Sequence, residues 1–174
     1  MTFATTDLCD ANESDIHAGL IHVLPPVFKQ YGGQTVFCGQ AVTVKLFEDN
    51  TVIKQILENE NGAGKVLVVD AGASVRCGVV GGNIASAAVK NGWAGVIVNG
   101  AIRDIGEIAP LPLGVLALAL HPVRAIRRNA GVRDITIQIQ GVTVQPNDWI
   151  YADADGTVVS PRSLVLKKQI NFDK

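Results

Sequence analysis

The segment Arg103-Asp104-Ile105-Gly106-Glu107 places a guanidinium and two carboxylates within five residues of each other. It follows the apolar run Ala94–Val98 and the pair Asn99-Gly100, so its charges emerge where a buried strand ends. In open α/β sheets that is where ligands bind. If residues 104–107 begin a helical turn, Asp104 and Glu107 stand three apart on one face. Two hard oxygen donors so placed suit Mg²⁺ or Mn²⁺, held directly or through water. Arg103 offers a planar fork that matches a carboxylate or enolate oxygen. The same spacing also suits a plain ion pair at a helix start, where the helix dipole favours Asp104 and Glu107. Spacing alone does not choose between the two.

A second candidate segment is Val80-Gly81-Gly82-Asn83-Ile84, a glycine pair opening a helix. Without Cβ atoms, Gly81 and Gly82 let a ligand approach the backbone. Free N–H groups at a helix start can then cradle a carboxylate. The plainer account is a tight strand-to-helix turn. Asp70 ends a strand nearby and reads either as an acid of the site or as a turn former. Glu48-Asp49-Asn50 reads chiefly as a helix N-cap, with a contribution to a neighbouring subunit's site as the alternative.

The elements that must position these groups follow from periodicity. Thr5, Thr6 and Asp7 can cap a short helix running to Asn12. Val36–Leu46 alternates as a strand. Asn50 or Thr51 then caps a helix with Val52, Ile53, Ile56 and Leu57 on one face, ended by Asn61-Gly62-Ala63-Gly64. Lys65–Asp70 is a continuous apolar run, the pattern of a strand buried on both faces. Ile84–Val89 reads as a helix ended by Asn91-Gly92, and Ala94–Val98 and Val115–Leu120 as buried strands. Ile135, Ile137 and Ile139 alternate with polar residues, so that strand has one wet face. Val142–Val144, Trp149–Ala152 and Thr157–Val159 are short strands split by turns. Ser160-Pro161 opens a C-terminal helix, with Pro161 at its first position. The sum is an α/β domain over residues 1–174, with a central, mostly parallel sheet.

Composition narrows the function classes. The chain has 174 residues, 48% hydrophobic and 18% charged, enough apolar content for a packed core. A net charge of −1 leaves no electrostatic footprint for nucleic acid or an anionic membrane. Arg124, Arg127 and Arg128 cluster locally and read as a solvated face near a helix turn. Three cysteines, Cys9, Cys38 and Cys77, with no CxxC pair, argue against a disulfide framework or a zinc site. His17, His22 and His121 are scattered, without metal-binding spacing. The Gly72–Gly78 loop lacks the Gly-Lys-Ser/Thr ending of a phosphate loop. Lys65 and Lys90 sit at a strand start and a helix end and read as solvated, not as Schiff-base lysines. Cys77 has no histidine near it in sequence. Met1–Asp10 has no basic stretch followed by an apolar run, and no segment is long and apolar enough to span a bilayer. The expectation is a cytoplasmic protein.

Gly82, twenty intervening residues, then Arg103-Asp104-x-x-Glu107 resembles the signature of the RraA-like and 4-hydroxy-4-methyl-2-oxoglutarate aldolase family. The resemblance spans nearly the whole chain. It includes Asp7-Leu8-Cys9-Asp10, Phe47-Glu48-Asp49-Asn50, Val66–Gly72, Asn91-Gly92-Trp93 and Tyr151-Ala152-Asp153. It implies a swivelling ββα-type fold and a ring-shaped homotrimer, paired in some members to a hexamer, with the site between subunits. It further implies that Gly81, Gly82, Asn83, Ile84 and Arg103 bind a small 2-oxo acid, that Asp104 holds the divalent metal, and that Glu107 orients metal-bound water. Many relatives carry Asp where this chain has Gly82. The implied activity is retro-aldol cleavage to pyruvate, with oxaloacetate decarboxylation through the same enolate. The alternative is a non-catalytic regulator that binds ribonuclease E.

Overall fold

The computed structural model describes residues 3–164. In chain order its helices are α1 (Thr5–Ala11), α2 (Glu13–His17), α3 (Thr51–Asn59), α4 (Gly82–Lys90) and α5 (Ile105–Ile108). Its strands are β1 (His22–Val23), β2 (Lys29–Gln30), β3 (Phe37–Lys45), β4 (Lys65–Asp70), β5 (Gly78–Val80), β6 (Gly95–Ile102), β7 (Gly114–Leu120), β8 (Val132–Arg133), β9 (Ile137–Ile139), β10 (Val142–Val144), β11 (Trp149–Ala152) and β12 (Thr157–Ser160).

At the centre, β3, β4, β6 and β7 run parallel, with Val44 beside Val69, Val69 beside Val98 and Val98 beside Ala117. The sheet as a whole is mixed rather than mostly parallel. β11 pairs antiparallel with β3, β12 with β11, β1 with β12, and β2 closes the other edge antiparallel on β7. The reason lies in the connections. A parallel pair needs a long crossover, which α3 supplies between β3 and β4, and β5 and α4 between β4 and β6. Beyond β7 no helix crosses between strands among the described residues, and the short strands return antiparallel, β10 on β9 and β12 on β11 through tight turns, β8 and β11 on β3.

β4 shows why the centre is apolar throughout. Leu67 and Val69 face α3 and α4, packing with Ile53, Ile56, Leu57, Ala85 and Ala88. Val66 and Val68 face the opposite layer, where Ile137, Ile139, Val144 and Ile150 cover them. β9 and β10 form a separate two-stranded ribbon, with Gln138 exposed between buried Ile137 and Ile139. Ile135 lies outside the strand, its carbonyl accepting from Thr43 Oγ1 at 2.6 Å. A third cluster, Leu8, Ile21, Tyr151, Val158 and Leu164, sits under α1.

Several boundaries move for physical reasons. α1 is not capped by its own residues. Asp153, 148 positions away, accepts from both the amide and the hydroxyl of Thr5, each at 2.6 Å. α4 starts at Gly82, two residues before Ile84. β6 runs through Asn99-Gly100 to Ile102 instead of stopping at Val98, with an irregularity in its register against β7 between Val98 and Ala101. That bulge carries the strand four residues further and makes room for β5 beside it. Residues 161–164 are not helical; the rest of the helix expected after Ser160-Pro161 lies outside the described residues. Among the described residues, no helix is long and apolar enough to cross a membrane.

The Phe37 ring fills a slot that two glycines leave open. A Cβ on Gly114 would lie 2.1 Å from the ring, and one on Gly95 2.5 Å. Gly114→Ala is therefore expected to destabilise the fold by about 1–3 kcal/mol through overpacking. A denaturant midpoint equal to that of the parent would show that the ring can move aside.

Candidate active site

β5 and β6 lie side by side and end together, and the residues just past their ends touch. The Arg103 amide donates to the Val80 carbonyl at 2.9 Å, tying one exit to the other. Gly81 follows in extended conformation and caps α4. Asp104 caps α5 with φ 60° and ψ 45°, a left-handed conformation. Such a conformation costs a residue with a Cβ about 1–3 kcal/mol unless its surroundings enforce it. Here they do. Asp104 Oδ2 accepts from the Gly82 amide at 3.2 Å, and Oδ1 from Arg103 Nε at 3.0 Å.

These contacts show what occupies the space that the glycine pair leaves open. A Cβ on Gly81 would lie 2.6 Å from Asp104 Oδ2, and one on Gly82 only 1.8 Å from Glu107 Oε2. The glycines make room for two carboxylates of the chain itself. The space that an Asp at position 82 would claim is filled by Glu107. One of the amides expected to hold a substrate anion, that of Gly82, is already given to Asp104.

Gly81, Asn83, Ile84, Arg103 and Asp104 line one wall of a cavity of about 670 Å³. Gly82 and Glu107 stand behind that wall, Gly82 buried and Glu107 exposed. The opposite wall is Asn50 and residues 123–127, including Arg124 and Arg127. The sequence reading missed this wall. It placed Arg124 and Arg127 on the solvated face of a helix turn, whereas the segment is extended. Gly78 bridges to Arg124 in parallel fashion, and Asp49 to Ile126.

The Asp49 carboxylate anchors this wall. It is 1% exposed, and its oxygens accept from the amides of Thr51 at 2.7 Å, Arg128 at 2.5 Å and Ala130 at 3.3 Å. Asp49 thus supplies the cap for α3 expected of Asn50 or Thr51, and holds the loop as well. The Asn50 side chain, 9% exposed, makes no cap bond, and its Oδ1 is buried without a partner among the described residues. Glu48 turns away to Ser74 Oγ and Arg76 Nε, both at 2.7 Å. Asp70 is a turn former: Oδ1 takes the Gly72 amide at 3.0 Å and Asn99 Nδ2 at 3.3 Å. Lys65 and Lys90 do not line the cavity. Burial, then the nearby Glu48, pushes the Cys77 thiol up, which keeps it protonated and a weak nucleophile. Among the described residues no three His, Cys, Asp or Glu side chains are grouped to hold a metal. Any divalent ion here would rely on Asp104, Glu107 and water.

Residues 5–159 match the family model described as RraA-like: Aldolase/RraA. The chain belongs to the RraA-like family. Its relatives within the RraA-like family include a protein of Burkholderia mallei named "Putative 4-hydroxy-4-methyl-2-oxoglutarate aldolase", 54% identical over 95% of this chain and 99% of the relative. Among solved structures, the RNA-processing inhibitor RraA from Thermus thermophilis has a TM-score of 0.89 at 40% identity, covering 97% of this chain and 98% of the other. A structure described as an S-adenosylmethionine: 2-dimethylmenaquinone methyltransferase from Geobacillus kaustophilus has a TM-score of 0.87 at 39% identity, covering 95% and 99%. One RraA-like fold therefore carries differently named activities, and the choice among them rests on the site.

Burial opposes ionisation of Asp49, but the bonds from Thr51, Arg128 and Ala130 outweigh it and hold its pKa below the ordinary 3.8. Its stabilising effect is therefore complete above 3.8 and is lost as pH falls through the lower folded value. Asp49→Asn is expected to cost about 1–3 kcal/mol at neutral pH, the worth of hydrogen bonds to a buried charge. It should also flatten the acid limb of urea stability measured from pH 7 to pH 2. An unchanged acid limb would mean that Asp49 does not anchor the wall.

Proposed function

We propose that this protein is a lyase that cleaves 4-hydroxy-4-methyl-2-oxoglutarate-type 2-oxo acids to pyruvate. The observation that carries the reading is the Arg103–Asp104 pair at the cavity wall, held in a strained, left-handed cap by the Gly82 amide. Strain enforced by such contacts concentrates where geometry serves chemistry. The name of the Burkholderia mallei relative supports the same reading.

Arg103 is fixed through Nε, so its terminal nitrogens form the fork that meets the substrate's carboxylate and 2-oxo oxygen. In the retro-aldol step the C4 hydroxyl loses its proton and C4 becomes a carbonyl. The C3–C4 bond breaks, and its electron pair passes through C3 to the 2-oxo oxygen. The resulting enolate of pyruvate gains a proton at C3 and leaves as pyruvate. From the 4-methyl substrate, the C4 fragment is a second pyruvate. Arg103 stabilises the oxygen where charge develops. Oxaloacetate reaches the same enolate by losing its C4 carboxyl as CO₂.

The donor chemistry fits a hard divalent cation, since Asp104 and Glu107 both offer carboxylate oxygens. Asp104, with Glu107 behind it acting through water, would hold Mg²⁺ or Mn²⁺, which when bound would supply Lewis acidity to the developing oxyanion. Glu107 is the candidate to orient a water that takes the C4 hydroxyl proton. The proposal includes a homotrimer, or a hexamer built from two, working in the cytoplasm.

A second reading is favoured by the RNA-processing inhibitor from Thermus thermophilis, which shares the fold at 40% identity. In it the protein binds ribonuclease E, with or without catalysis. Inhibition of the purified nuclease by the Asp104→Ala variant would separate that role from the lyase.

Pyruvate release from 4-hydroxy-4-methyl-2-oxoglutarate and from oxaloacetate is expected to stop in EDTA and to return with Mg²⁺ or Mn²⁺. Activity persisting in EDTA, with borohydride trapping pyruvate on the protein, would overturn the metal assignment. Asp104→Ala and Arg103→Lys should each lower turnover by about 10²–10³-fold, the cost of one preorganised charge-stabilising contact. Calorimetry should show metal binding weakened in Asp104→Ala and retained in Arg103→Lys. Gly82→Ala should fold but displace Glu107, lowering kcat; normal kcat there would remove Glu107 from the site.

A further inference from the structure

The cavity is larger than the Arg103–Asp104 corner needs. A three-carbon oxo acid fills a small part of about 670 Å³, a volume within the range of sites that hold far larger ligands, roughly 300–1,000 Å³. Its charge is also one-sided. Arg103, Arg124 and Arg127 line it against the single carboxylate of Asp104, in a chain whose net charge is −1. Arg103 is partly neutralised by Asp104 at 3.0 Å. Arg124 and Arg127 have no carboxylate within ion-pairing distance among the described residues.

The wall that carries them is built, not loose. The Gly78 amide donates to the Val123 carbonyl at 2.8 Å and the Ala125 amide to the Gly78 carbonyl at 3.2 Å. The Ile126 amide donates to the Glu48 carbonyl at 3.2 Å, and Asp49 clamps the following turn.

We infer that Arg124 and Arg127 form a second carboxylate subsite, across the cavity from Arg103, that selects 2-oxo acids with an anionic group at the far end. The inference rests on the lyase reading for the orientation of the oxo-acid end. It assigns discrimination among substrates to a wall that takes no part in bond cleavage. Two guanidinium forks meeting one carboxylate would read its charge and its plane together.

The test is binding of two uncleavable ligands of the same chain length, 2-oxoglutarate and 2-oxopentanoate, to the full chain with Mg²⁺ by calorimetry. They differ in a terminal carboxylate against a terminal methyl. The parent protein should bind 2-oxoglutarate at least about tenfold more tightly, the worth of a charge-assisted contact. The double variant Arg124→Gln/Arg127→Gln, at two exposed positions, should lose that preference and bind the two alike. Arg128→Gln, which alters an arginine outside the cavity lining, should keep the preference and thereby rule out a general charge effect. Equal binding of the two ligands by the parent, or a preference that survives in the double variant, would overturn the subsite. If the parent shows the preference and the double variant loses it, yet no hydroxylated 2-oxo acid is cleaved, the subsite stands and the lyase reading falls.

Discussion

The amide of Gly82 donating to the carboxylate of Asp104 is the contact on which the site depends. It joins the first turn of α4 to the residue that caps α5, and so locks two strand ends into one surface. It also spends a free helix-terminal donor on a carboxylate, which the positive end of α4 favours. That attraction helps hold Asp104 in its left-handed backbone state, and with the Arg103 contact it presents the guanidinium and the carboxylate as a single rigid unit. Any side chain at Gly81 or Gly82 would break this arrangement by steric overlap rather than by altered backbone preference.

The opposite wall depends on a different carboxylate used in a similar way. Asp49 satisfies amides of two segments that meet at this wall, Thr51 at the start of α3 and Arg128 and Ala130 in the loop after residue 127. A buried charge is tolerated because several amides converge on it. The adjacent Asn50 makes no cap bond with its side chain, and its Oδ1 stays buried and unmatched among the described residues. Two short loops far apart in sequence thus become one fixed face.

Behind both walls stands the parallel core of β3, β4, β6 and β7. Parallel pairing demands crossovers, and the crossovers place α3 and α4 on one face. The other face is closed by the antiparallel strands of the C-terminal third and by the β9–β10 ribbon. The bulge in β6 converts this regular frame into a site, because it lengthens the strand until Arg103 draws level with Val80.

The pattern of residues along the chain determined β4, α3, the apolar central strands and the α/β class, since each depends on local periodicity and on what must be buried. It also marked Arg103-Asp104 and Gly81-Gly82 as candidate segments, because adjacent charges at a strand end and a glycine pair at a helix start are local signals; their contact, 22 positions apart, came from the fold. Tertiary structure alone decided the mixed sheet, because short turns reveal that strands return but not which edge they join. It decided that Asp153 caps α1 from 148 positions away and that Asp49, besides capping α3, reaches the amides of Arg128 and Ala130. It brought Arg124 and Arg127 onto the cavity, although by composition they resembled any solvated basic cluster. Their role depends on bridges to Gly78 and on the reach of Asp49, contacts between distant segments that only the folded sheet brings together.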